Sequence, residues 1–100
     1  TWIDVLEACW PGGSISGAPK LRACQRLNEL EPIGRGPYCG SILNIDWDGN
    51  LDSSILIRSI VLKGRTLRAH AGCGIVADSN AYEEAEELSW KLLPILKALE

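Results

Sequence analysis

The chain has 100 residues, of which 46% are hydrophobic and 23% charged, with a formal net charge of −3. That balance belongs to one soluble globular domain or a piece of one, and it argues against nucleic acid, whose phosphates require a basic face. No apolar run approaches the roughly 18 residues of a membrane span, and no secretory leader is visible.

The chain opens on an apolar run, Trp2, Ile3, Val5 and Leu6, without a polar leader, and is expected to be the C-terminal part, residues 1–100, of a longer domain. Residues 2–9 are predicted to form a short helix that stops at Trp10-Pro11, because a residue before proline is pushed out of helical geometry. A glycine-rich loop, Pro11-Gly12-Gly13-Ser14-Ile15-Ser16-Gly17, follows. Pro19 suits a first helical turn, and the next helix should run to Glu31, where Pro32 ends it. Ala23, Cys24, Leu27 and Leu30 share one face of that helix. Lys20 projects onto the same face, either reaching solvent or holding a carboxylate near the loop.

Residues 38–47 are predicted as a strand, turned by Asp48-Gly49. The almost continuously apolar stretch 53–63 predicts a second strand covered on both faces. After Lys63-Gly64-Arg65 a third strand is expected over 66–76. The fold class predicted is therefore α/β (α+β), an antiparallel meander flanked by helices. From Asn80 a last helix should run to the C-terminus, interrupted near Pro94.

Two glycine-rich turns, 11–17 and Gly72-Cys73-Gly74, each lead toward a helix start, an arrangement suited to an anion. Arg58 interrupts an apolar strand face between Leu56 and Ile60, so burial and a partner are expected. The partner is either a structural carboxylate or that of a substrate. On the last helix Leu88, Leu92, Ile95 and Leu99 lie within about 80° of Glu84 on one side. Glu87 and Lys91 border the same stripe, whereas Glu83 and Glu86 point outward. Glu84 and Glu87 either complement the helix dipole, with Glu87–Lys91 an i,i+4 pair, or supply the few carboxylates that Mg²⁺ prefers. A P-loop is excluded because Ala18 and Pro19 separate Gly17 from Lys20. His70 has no Ser or Cys at motif spacing and reads as a strand-surface residue. Cys9, Cys24, Cys39 and Cys73 form no C-x-x-C pair and read as reduced thiols of a cytoplasmic protein.

Taken together, Pro11–Lys20, Arg35-Gly36-x-Tyr38-x-Gly40, Asp48–Asp52, Ile57-Arg58, Ala71–Ser79 and Glu84-x-x-Glu87-x-x-x-Lys91 resemble the C-terminal portion of the chorismate-utilising enzymes. The resemblance implies a fragment of that family's α/β sandwich. It implies Mg²⁺ held by Glu87, with Glu84 in the adjoining acidic position. It also implies chorismate contacts from Arg58 and Tyr38, from the backbone of Gly72, Cys73 and Gly74, from Lys91, and from Ser14 in the pocket wall. A glutamine amidotransferase subunit or domain would supply ammonia. Within the family, Pro11–Lys20, Tyr38–Ile42 and Asp52–Ile55 resemble the component I branch that makes 4-amino-4-deoxychorismate for folate synthesis, with the component I branch of anthranilate synthase as the alternative. A module that only packs on a partner is a further alternative. The Pro-Ile-Lys-Gly-Thr segment, whose lysine is the nucleophile of the aminodeoxychorismate branch, is not in these residues, nor is the upstream glutamate that completes the family's metal site. Leu43-Asn44 and Pro94 also depart from the family pattern.

Overall fold

The computed structural model describes all of residues 1–100, and the chain divides into two units, Thr1–Ile55 and Leu56–Glu100. Each unit is mixed α/β, one antiparallel strand pair with three helices in the first and with one helix in the second, so the predicted fold class holds.

In the first unit, helix α1 (Trp2–Cys9) starts from a capping box in which the Thr1 hydroxyl accepts from the Asp4 amide and donates to the Asp4 carboxylate. Reciprocal capping of this kind satisfies donors that the first turn leaves open. Trp10 ends the helix in an extended conformation, with ψ 145°, ahead of Pro11. The segment predicted as a loop contains a four-residue turn of helix, α2 (Gly13–Ser16), closed by the Ile15 and Ser16 amides on Gly12 O, each 3.0 Å. Gly17 leaves that turn at φ 102°, and a Cβ there would lie 3.1 Å from the Ala23 Cβ. Only glycine takes this conformation at such close approach without strain. Helix α3 (Lys20–Leu30) half-buries Ala23, Cys24 and Leu27, while Leu30, expected on the same face, stands exposed at the helix end. Lys20 is exposed.

Strand β1 (Ser41–Ile45) pairs antiparallel with β2 (Leu51–Ile55), Ser41 opposite Ile55 and Ile45 opposite Leu51. The Asp48-Gly49 turn joins them, with Gly49 at φ 86° and the Asp46 carboxylate accepting from the Asp48 and Asn50 amides. Residues 38–40, predicted as the start of the strand, instead form a turn in which the Gly40 amide donates to Pro37 O. Cys39, at φ 65°, is buried beneath that turn.

In the second unit, β3 (Ile60–Lys63) pairs antiparallel with β4 (Thr66–Ala69) through the Lys63–Arg65 turn. The long strand predicted over 53–63 is therefore two strands, β2 and β3, broken at 56–59. Arg58 sits in that break at φ 50°, exposed and without an ion pair. This corrects the expectation of a buried Arg58 on a strand face. A left-handed residue cannot continue a ladder, and an unpartnered guanidinium gains most from water. The third strand likewise stops at Ala69, leaving 70–76 without regular structure.

Helix α4 (Ala81–Ala98) is capped by Asn80, whose side-chain oxygen accepts from the Tyr82 and Glu83 amides. It continues through Pro94, where an interruption was expected. Pro94 removes one ladder bond, and the next residue, Ile95, is the buried side chain of this unit, so packing holds the turn beyond the proline. No helix is long and apolar enough to cross a membrane.

Candidate functional site

In the second unit the functional side chains gather where α4 meets the 72–74 segment. Lys91 is the centre of this group. Its Nζ donates to Gly72 O at 2.9 Å and pairs with Glu87 Oε1 at 2.6 Å. Glu87 and Lys91 are one helical turn apart, so the pair is the i,i+4 contact expected from spacing. It is not merely a surface pair, because the lysine also ties the helix to the glycine-rich segment.

Glu84, one turn toward the N-terminus, is half-buried, and its Oε2 is shut away from solvent without a hydrogen-bond partner. A buried carboxylate oxygen in that condition carries a desolvation cost that a ligand can relieve. Cys73 lies close enough to Glu84, Glu87 and Lys91 to feel all three. Burial, then its contact with the Glu84 carboxyl, raises the thiol above its ordinary range, with Lys91 opposing. The thiol is thus held protonated beside the carboxylates. Glu83 and Glu86 are exposed, as their wheel positions require.

The two helix starts expected to receive an anion differ in their caps. At α4 the first amides are already taken by Asn80. At α3 no side chain caps the helix.

In the first unit a cavity of about 480 Å³ is lined by Trp10, Ile15, Ser16, Leu27, Arg35 and Tyr38, among others. Ser14, expected in a pocket wall, is exposed, and it is Ser16 that turns inward, its Oγ donating to Gly12 O at 3.0 Å. The alternation within a single helical turn explains the exchange: two residues along, the side chain points to the other side. Tyr38 is half-buried. Burial, followed by its contact with Cys39, pushes its phenol up to about 12. The sign follows: between the ordinary phenol value and about 12 the folded chain holds a proton that the unfolded chain releases, so this unit loses stability as pH rises through that window. A difference titration of phenolate absorbance between the wild type and Tyr38→Phe should show one phenol ionising near 12; a phenol ionising at the ordinary value would show Tyr38 to be solvated.

Sequence reasoning named Arg35 only within the Arg35-Gly36-x-Tyr38-x-Gly40 motif and Glu31 only as a helix end, and gave neither a role in a site. Arg35 forks onto the Glu31 carboxylate, with Nε at 3.0 and 2.8 Å and NH2 at 2.5 Å, reaches Ile15 O with NH1 at 3.3 Å, and stands 5.9 Å from the Tyr38 ring centre. Their i,i+4 spacing across the end of α3 was the available signal, hidden by Pro32 between them.

Residues 1–97 match the family described as chorismate binding enzyme. The whole chain is 48% identical over 100 residues to the anthranilate synthase component 1 of Acetivibrio thermocellus, covering 20% of that protein. It is 53% identical over 89 residues to that of Bacillus caldotenax, covering 89% of this chain and 16% of the relative. The same component of Aquifex aeolicus is 47% identical over 98 residues, which is 98% of this chain and 20% of the relative. The chain thus spans no more than about a fifth of the length of these relatives. With its motifs in order from the Pro11–Lys20 segment to Lys91, the chain belongs to the family of chorismate-binding enzymes.

Proposed function

We propose that this chain contributes the substrate- and metal-binding end of an anthranilate synthase component 1, which aminates chorismate to anthranilate. The observation that carries the reading is the cluster on α4: a buried, unsatisfied Glu84 oxygen beside Glu87 and a lysine already anchored to Gly72. The names of the relatives favour this product over 4-amino-4-deoxychorismate. The motif dialect of Pro11–Lys20 is outweighed by similarity along the full length.

Glu84 and Glu87 fit Mg²⁺, which takes one or two carboxylates and leaves its other positions to water and substrate oxygens. The orphaned Glu84 oxygen has the chemistry such an ion would satisfy. Bound there, Mg²⁺ would hold the ring carboxylate and offset charge as the C4 hydroxyl departs. The chain's own residues do the rest. Lys91 supplies a cation fixed at both ends, by Glu87 and by Gly72 O, and so orients a carboxylate without searching for a rotamer. Arg58, free in water, offers a bidentate fork to a second carboxylate, and the Gly72–Gly74 backbone can approach the substrate closely because two of its three residues lack a side chain.

The reaction balances as chorismate plus ammonia giving anthranilate, pyruvate and water. The amine adds beside the ring carboxylate, the hydroxyl leaves, and loss of the enolpyruvyl group as pyruvate restores the aromatic ring. Ammonia would come from a glutamine amidotransferase partner. Expression of the full-length protein should rescue a tryptophan auxotroph lacking anthranilate synthase component 1. Rescue only of a p-aminobenzoate auxotroph would assign the other branch.

A further inference from the structure

We infer that Arg35 is a positioning residue, clamped by Glu31, that fixes both the Gly12–Gly17 turn and the Tyr38 ring for substrate binding. The inference rests on the chorismate reading for its kinetic consequence, but its structural content stands on the first unit alone.

The guanidinium touches three separate pieces of chain. Two of its nitrogens fork onto Glu31, the residue that ends α3. A third, NH1, donates to Ile15 O in the middle of α2, twenty residues earlier in the chain. Its face lies against Tyr38. Fork, carbonyl and ring use all the recognition modes that distinguish arginine from lysine.

The contact to Ile15 O matters because the turn it reaches is short. Helix α2 is four residues long, without a side-chain cap, and ends at a glycine with φ 102°. Isolated turns of this length are not stable by themselves. The Ile15 carbonyl therefore depends on an outside donor, and Arg35 is that donor. The pair is sheltered, with side chains only 27% and 35% exposed, so the ion pair is less screened than a surface one. Hydrogen bonding to Glu31, the main cause, raises the Arg35 pKa further, so the clamp carries its charge throughout the working range of pH. Ser16, buried on the same turn, and Tyr38 both line the cavity that Arg35 walls. A loosened clamp would displace both together.

The test uses the full-length enzyme with Arg35→Gln, Arg35→Lys and Glu31→Gln, read by steady-state kinetics and by amide hydrogen exchange. Exchange at Ile15, Ser16 and Gly17 should quicken by about tenfold or more in Arg35→Gln, with α4 unaffected. KM for chorismate should rise about tenfold with kcat within about threefold, and Arg35→Lys should recover part of the loss. Glu31→Gln, which leaves the guanidinium in place but frees it, should show the same pattern at smaller amplitude, and it decides the matter if Arg35→Gln does not fold. Unchanged exchange at residues 15–17 overturns the clamp. Faster exchange with unchanged KM overturns the positioning role, as does a fall in Tm with normal kinetics. Should the wild type fail to consume chorismate, the functional reading falls, and the exchange data alone decide whether the clamp holds the turn.

Discussion

Glu87→Gln in the full-length enzyme should reduce Mg²⁺-dependent turnover of chorismate by about a thousandfold, the scale expected when a fixed charge at the reacting centre is lost. The substitution keeps the shape of the side chain and removes its charge. Two roles are lost at once: a carboxylate offered to the metal, and the anion that draws Lys91 to 2.6 Å. Stability should hardly change. The Glu87 side chain is half exposed, and an exposed i,i+4 pair contributes at most a few tenths of a kcal/mol. Tm should therefore move by no more than about 2 °C. Lys91 would keep its bond to Gly72 O, so the 72–74 segment stays in place. Glu86→Gln, one residue earlier and exposed, should leave turnover and metal affinity as they are. Calorimetric titration of Mg²⁺ reads the first of these roles, because affinity should fall in Glu87→Gln and not in Glu86→Gln. Equal activity in both variants would leave Glu87 as a dipole-compensating residue only.

The second large effect concerns the 100-residue chain by itself. It should show no cooperative thermal unfolding, should bind a hydrophobic dye strongly, and should bind chorismate only at millimolar concentration or weaker. The reason lies in its packing. Only Cys39 and Ile95 are buried apolar residues, with Ser16 the one buried polar residue. Trp47, Ile57, Leu62, Ile75, Val76 and Trp90 all stand in water, several of them on or beside the strands. A core residue normally touches six to twelve others, about what these lack, and paired two-stranded ribbons are marginal without a covered face. Exposed apolar area of this extent marks surface meant to be covered. A sharp two-state transition for the isolated chain, or micromolar binding of chorismate to it, would show that the units are self-sufficient.

Helices α1, α3 and α4 were legible in the sequence because their boundaries are written in local chemistry, whereas the single turn of α2 was read as loop. Trp10-Pro11 closes α1, Pro32 follows α3, and Asn80 opens α4; the Thr1–Asp4 capping box that opens α1 was not read. The two hairpin turns were legible for the same reason, Gly49 and Gly64 taking the positive φ that each requires. The strands were less legible. Residues 53–63 are apolar on nearly all of both faces, and such a run fixes neither period nor length. Nothing local announces that Arg58 turns left-handed or that pairing stops at Ala69. Pro94 misled in the other direction, since tertiary contact at Ile95 outweighs the missing ladder bond.

The candidate site divides in the same way. Glu84, Glu87 and Lys91 share a helix, so 3.6-residue periodicity placed them together, and the structure adds the anchor on Gly72 that no wheel could show. The contact between Arg35 and Glu31 was invisible because it depends on how the chain turns after α3. Preference between the two component I branches rested on short stretches such as Pro11–Lys20, where a few substitutions change the dialect, whereas identity over 100 residues averages across both units.

The most direct test of the account is the stoichiometry of pyruvate released per chorismate consumed, measured on the purified full-length enzyme with ammonium and Mg²⁺. Forming an aromatic aminobenzoate requires the enolpyruvyl group to leave, so the account predicts one pyruvate for each chorismate, together with anthranilate. Chorismate consumed without pyruvate, leaving a non-aromatic amino product, would contradict it.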